Sequence, residues 1–560
     1  MSDGARLAEL AESYWDRVMA AAPSTATIIG DHRFDDQLER LDPGTLADLR
    51  SALVAVADEA ERLDLADADD RLTRAVLVHE ARDGVARLDV EIETGAIDPL
   101  LGPHAELMSC AAQSGAATAE QAEQLLARYA QVPRLFDEMA ALNRDRIARG
   151  LTPAAICAQR VMGQLDGYLA SPLDSDPFLG ISVPDDVAAD WRDRMRTLVD
   201  DVVRPAYAAH LAFVRDEVLP VARDDEHAGL VHLPDGERIY ATLAGLHTSL
   251  DVDPEELHEI GVAIAERELP VEWASIGEAA LGLSDLGPIF DRLRTDPALR
   301  YRDGAEMVAH AEEVVARAWG AIDGWFNARP EAPCQVQEVP AALAPAMPPA
   351  YYYPAAEDGS RPGTYFVNTH EATERPRYST EAIAFHEAIP GHHFDRTLAQ
   401  ELTDVPTFRR YGISTAHAEG WGLYTERLAD EMGLYSSDLD RLGMLAADAW
   451  RAGRLVVDTG LHARGWTRQQ AIDWFVRWTP VPEIVVAQEI DRYIGMAGQA
   501  LSYKTGQRHI MGLRAEAQAA LGDRFDIAAF HDAVLVRGGM PLAVLTGSVR
   551  EQLGVSAPSA

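Results

Sequence analysis

The chain has 560 residues, 47% of them hydrophobic, with 50 Lys plus Arg against 90 Asp plus Glu and a formal charge of −40. That is ample material for a sizeable core, and so acidic a balance weighs against nucleic acid or an anionic membrane as partner, because both select basic surfaces. Three scattered cysteines, Cys110, Cys157 and Cys334, argue against a disulfide framework and fit a reducing compartment.

The first stretch, MSDGARLAELAESYWDRVMAAA, mixes acids with apolar residues at helical spacing. It lacks a basic start followed by an apolar run, so it does not read as a secretory signal. No apolar run is long enough to span a bilayer. The expectation is a soluble, cytoplasmic protein. Most of the first 320 residues read as amphipathic helices, with apolar residues three or four apart, for example over 45–64, 118–149 and 185–219. Asp253-Pro254-Glu255-Glu256 marks a helix start: a capping Asp, then Pro in the first helical position and an acid in the third. The texture changes at Arg329. Six prolines between 330 and 349 rule out helix there. Cys334 to Val339 alternates like a strand, and Tyr351-Tyr352-Tyr353 and 364–369 read as two more, separated by a turn at Asp358-Gly359. Helix resumes near Ser379, with Ser379 or Thr380 as cap. The expected organisation is an N-terminal helical region over 1–250 and a catalytic region over 251–560, with a small antiparallel sheet at about 334–370.

The chemistry concentrates in AFHEAIPGHH, residues 384–393. It starts like the zinc-protease motif H-E-x-x-H, in which one helix face presents both histidines to the metal and the Glu activates water. Here Pro390 stands where the second histidine should be. His392 and His393 follow His386 by six and seven residues. On a regular helix six residues turn about 240° and rise about 9 Å, too far to share one ion. A shared site therefore needs a deformed helix. Pro390 collides with the carbonyl four residues back, that of His386, and Gly391 tolerates unusual backbone angles. Looping out two residues would return His392 to the face of His386, with His393 as the alternative. The third ligand is expected to be Glu419, in AHAEGWG, 33 residues after His386 and on an antiparallel helix. His417 is a weaker competitor. Glu426 is read as an exposed helical residue, with a supporting role behind a ligand histidine as the lesser reading. Trp421 and Tyr424 read as core. The isolated pair His258-Glu259, with no second histidine nearby, reads as structural.

HEAIPGHH followed by AEGWGLYTE resembles the bacterial domain-of-unknown-function family 885, which is grouped with zincin-like peptidases. The resemblance extends to Ala26–Asp31, Asp358–Tyr365, Ala500–Gly506 and Phe530–Asp532. It departs at Asp395, where the family often has Gln, and at Ala497, where it often has Pro. Together with the helical content it implies a mainly α, two-lobed shell around a small sheet, suited to short peptides. Under this reading His386, His392 and Glu419 hold one Zn²⁺ and Glu387 is the general base. The strand at 364–369, with Tyr365, lies along the cleft and pairs with substrate backbone. Tyr503 stabilises the developing oxyanion by resemblance to zincins with a downstream Tyr, and His531 is a second candidate. Lys504, Arg492 and Arg508 are candidates for clamping a substrate carboxylate. The alternatives are a metal- or ligand-binding protein without peptidase activity on the same scaffold, or another amide or ester hydrolase.

Overall fold

The structure, a computed structural model, describes residues 2–341, 344, 347–356, 361–412 and 414–556. It is mainly helical, with one three-stranded sheet. The helix at 45–64 is Pro43–Glu61. The 118–149 stretch is two helices, Ala119–Tyr129 and Val132–Ala148, the second admitting Pro133 in its first turn. Asp253 caps Pro254–Ala263 by accepting from Glu255 N. The largest apolar core joins Leu7, Val56 and Leu77 to Phe385, Trp421 and Leu545, so the first helices and the segment that carries the histidines share one core. A second core holds residues between Leu38 and Val218. No helix among the described residues is long and apolar enough to cross a membrane.

The three strands fall where the sequence reading put them: β1 Gln335–Glu338, β2 Ala350–Tyr353 and β3 Thr364–Val367. The turn at Asp358-Gly359 lies outside the described residues. The sheet is mixed and not antiparallel, with order β1-β3-β2, β1 parallel to β3 and β2 antiparallel to it. The cause is the crossover from β1 to β2, which carries the chain past the position that β3 later fills. Buried Asn368 pins that crossover by donating to the carbonyls of Ala344, Met347 and Pro348 at 2.8–3.1 Å. β3 is therefore central and has no free edge. The edge that lies against the histidine helix is β2.

That helix, Thr380–Glu387, stops one residue after His386, and a second helix, His392–Gln400, starts at the next histidine. The link contains a cis Ile389–Pro390 bond. Gly391 is needed for its close approach: a Cβ there would sit 1.8 Å from the His386 carbonyl oxygen. Glu381, in the first turn, is buried and anchored. It accepts from Arg317 at 2.6 Å and from the Ser436 backbone at 2.9 Å. The Thr415–Glu431 helix runs antiparallel to Thr380–Glu387, with Thr425 Oγ1 donating to Phe385 O at 2.9 Å. Its other side presses on the Ser502–Leu521 helix, where a Cβ on Gly420 would lie 2.5 Å from Gly506 Cα.

Gly391→Ala should lower thermal stability by several degrees, because a backbone oxygen cannot move aside as a side chain can. Gly512→Ala, on an exposed helical face with nothing within 4 Å of the new methyl, should be neutral or stabilise by up to about 1 kcal/mol. Melting curves that rank the two the other way would overturn the close-approach account.

Candidate metal centre

The helix break brings three side chains to one point. His386 Nε2 lies 3.3 Å from Glu419 Oε2, and His392 Nε2 lies 3.5 Å from the same oxygen. The two imidazole rings stand 4.7 Å apart and nearly perpendicular, at 87°. Among the described residues this is the one group of three or more His, Cys, Asp or Glu able to hold a metal ion, with donor atoms all within 4.8 Å of one another. Donors on a tetrahedral ion with bonds of 2.0–2.2 Å are about 3.4 Å apart. Two of the donor distances already match that value, so the residues fit a zinc-sized ion. Two imidazoles and a carboxylate also suit zinc chemically.

The surroundings hold this arrangement. His386 is 2% exposed. Its ring lies against Gly422, where a Cβ would meet Nε2 at 2.7 Å, so a larger residue would push the ring off its position. Its second nitrogen, Nδ1, is 2.8 Å from Glu426 Oε1. That carboxylate fixes the ring and leaves Nε2 for a ligand bond. Burial alone would favour the neutral ring, but hydrogen bonds to Glu419 and Glu426 outweigh it and raise the His386 pKa to about 9. Burial also opposes charge on Glu419, yet the two imidazoles hold it well below the usual carboxylate range. The cluster thus favours positive charge between its side chains, whether proton or cation. Glu387 is next to His386, and its Oε2 accepts from the Tyr352 backbone N–H of β2 at 2.9 Å.

Of the two candidate partners for His386, the geometry takes His392 and removes His393. His393 is fully buried on the other side of its helix, 3.0 Å from Tyr352 Oη and 3.0 Å from the Ala332 carbonyl. Adjacent residues on a helix point about 100° apart, so only one of the pair can face the cluster. His417 faces Asp395 at 3.5 Å and is not a ligand. Glu426 is not exposed: at 1% exposure it is the support for His386. His258 is structural as expected, buried with Nδ1 2.8 Å from Thr459 Oγ1, and Trp421 and Tyr424 are core.

Three further expectations are corrected. His531 is not at the site. Both its nitrogens are engaged, by the Tyr424 hydroxyl and by the Trp325 carbonyl, each at 2.8 Å, and burial pushes its pKa down to about 3. Lys504 is not available to substrate. It is buried in an ion pair with Asp448, which Arg427 also contacts, and donates to Gln507 at 2.6 Å. Tyr365 is 1% exposed in the core, on the central strand, so neither its side chain nor its backbone meets the cleft. Tyr503 remains half-buried, one helical turn before Gly506, at the contact with the Glu419 helix. Arg508 is exposed, and Arg492 is tied to Glu489 and Gln499. Sequence reasoning missed Tyr352, whose backbone N–H orients Glu387, and Arg454, whose guanidinium lies 4.3 Å from the centre of the Tyr503 ring. No local motif marks either one.

Solved structures share this architecture. One, described as that of "the putative lipoprotein from Colwellia psychrerythraea", is 26% identical with a TM-score of 0.92 and aligns over 99% of this chain and 100% of its own. Another, described as "a putative lipoprotein of unknown function from Shewanella oneidensis", shows the same fold at 18% identity and a TM-score of 0.75, over 97% and 99% of the two chains. No curated protein matches the chain. The sequence model of the family described as "Bacterial protein of unknown function (DUF885)" matches residues 23–549, and the chain belongs to that family.

Proposed function

We propose that this protein is a zinc-dependent, zincin-like metallopeptidase that hydrolyses short peptides. The observation that carries the reading is the convergence of His386, His392 and Glu419 at ligand spacing with Glu387 beside them. Zn²⁺ held by those three residues would act as a Lewis acid toward a peptide carbonyl and make water a nucleophile near neutral pH. Glu387 is the proton carrier. With Oε2 held by Tyr352 N–H, Oε1 takes the proton from the attacking water and delivers it to the leaving amine. A site that only held a structural ion would need no such base, and it usually has four protein ligands.

β2 is the strand that would align substrate. Asn368 N donates to Pro349 O, so in this register Tyr351 and Tyr353 bond inward to β3 while Ala350 and Tyr352 turn their backbone groups outward. Tyr352 N–H already uses that direction to reach Glu387. An extended peptide would pair with Ala350 and with the Tyr352 carbonyl. Tyr503 is kept in the role of hydrogen-bond donor to the developing oxyanion. The three unpaired cysteines support a reducing compartment such as the cytoplasm for the proposed activity.

Elemental analysis should find about one zinc per chain in the wild type and none in His386→Ala. Absence of stoichiometric metal after zinc is supplied would overturn the reading. Glu387→Gln should keep the ion while turnover of a peptide library falls about 10²- to 10⁴-fold; undiminished turnover would remove Glu387 from its role. Glu426→Gln should weaken metal affinity about 10- to 100-fold at unchanged stoichiometry under saturation, as read by competition with a chelator.

A further inference from the structure

Beside Tyr503 the fold packs two guanidinium groups around one carboxylate. Arg454, on the Asp438–His462 helix, is 7% exposed. Its Nε donates to Tyr493 Oη at 2.7 Å and its Nη2 to Glu489 Oε2 at 3.2 Å, while the buried Nη1 has no acceptor among the described residues. Arg492, on the Glu483–Gly495 helix, donates to Glu489 at 3.0 Å and to Gln499 Oε1 at 3.0 Å. Glu489 also accepts from Tyr493 Oη at 2.7 Å. One carboxylate thus serves two cations. The other acid that feels both, Asp458, is committed to Tyr240 Oη at 2.6 Å and Gly498 N at 3.0 Å, and burial pushes its pKa up to about 7. Two guanidinium groups paired to one carboxylate, with a buried guanidinium N–H that has no partner among the described residues, stand out in a chain of charge −40.

The position of this cluster gives it meaning. Arg454 lies 4.3 Å from the centre of the Tyr503 ring. Tyr503 sits one turn before Gly506, which touches Gly420, the neighbour of Glu419. Side chains of Glu419, Glu489 and Arg492 are each partly exposed, at 22%, 22% and 18%. The planar fork of a guanidinium matches a carboxylate. We infer that Arg454 and Arg492, beside Tyr503, form the subsite for the free α-carboxylate of a peptide substrate, so that the enzyme releases short C-terminal fragments. This assignment rests on the peptidase reading for its direction of cleavage and replaces Lys504 and Arg508 as the carboxylate clamp.

The test uses full-length Glu387→Gln loaded with zinc and calorimetric titration with matched short peptides. The free-acid form should bind about 10- to 100-fold tighter than the C-terminal amide, the range for one or two charged hydrogen bonds. N-acetylation should change little. Arg492→Gln in the same background should erase the acid-over-amide preference, and Arg454→Lys should reduce it. If Arg454→Lys does not fold, Arg492→Gln still decides. Equal binding of acid and amide, a preference that survives Arg492→Gln, or an amidated peptide with an internal Asp or Glu binding as tightly as the free acid would each overturn the subsite. The two readings fail separately. Wild type that cleaves amides as fast as acids keeps the peptidase and loses the subsite; a preference for acids in binding with no cleavage of any peptide keeps the subsite and loses the peptidase.

Discussion

The carbonyl oxygen of His386 has a glycine backbone pressed against it, and the candidate site is arranged around that contact. With Pro390 the helix cannot continue, and with Gly391 the chain can fold back to within a distance that excludes any Cβ. The next helix then begins with His392 beside His386 instead of some 9 Å along the same axis. Two short helices with a tight link do what one regular helix does in the H-E-x-x-H arrangement. The antiparallel Thr415–Glu431 helix can supply Glu419 and Glu426 to opposite nitrogens of His386 because Gly422 leaves room for the ring.

Burial turns this arrangement into a charge problem, and the charge problem points to function. Glu419 and Glu426 bear on the histidines and Glu387 stands next to them, in a protein that is already strongly acidic. Buried carboxylates are costly unless compensated. The raised His386 pKa expresses that demand for positive charge, and a divalent cation would meet it more fully. Glu387 is restrained from the other side by a backbone N–H from β2. The small sheet is therefore more than filler between helices: its outer edge sets the orientation of the proposed base.

Which features could be read in the sequence follows from how local their causes are. The strand at 334–339 showed as alternation between prolines, those at 351–353 and 364–369 as β-type runs around a turn, and the Asp253 cap as a four-residue pattern. The strand order did not show, because a parallel partner for β3 depends on where a crossover lies in space. The error in assigning the cleft edge to 364–369 has this origin: period two reveals faces but not neighbours. His531, Lys504 and Tyr365 were reasonable residue types at plausible distances along the chain, and each proved to be committed to the core or to a buried partner. Glu426 was misjudged in the opposite sense. Its helix is buried nearly all round, so solvent exposure could not be inferred from its being a glutamate.

By itself the sequence determined that the chain is a large helical protein with a short β segment, and it singled out His386 with Glu387 and a Pro-Gly break as a candidate metal motif. These are consequences of periodicity, proline and spacing, which act over a few residues. Only the tertiary structure decided between His392 and His393, assigned Glu426 to His386, made β2 the edge strand and set Arg454 against Tyr503. Each of these depends on the packing of elements tens to hundreds of residues apart, and side-chain direction there is set by the neighbouring helix or strand, which no local pattern encodes.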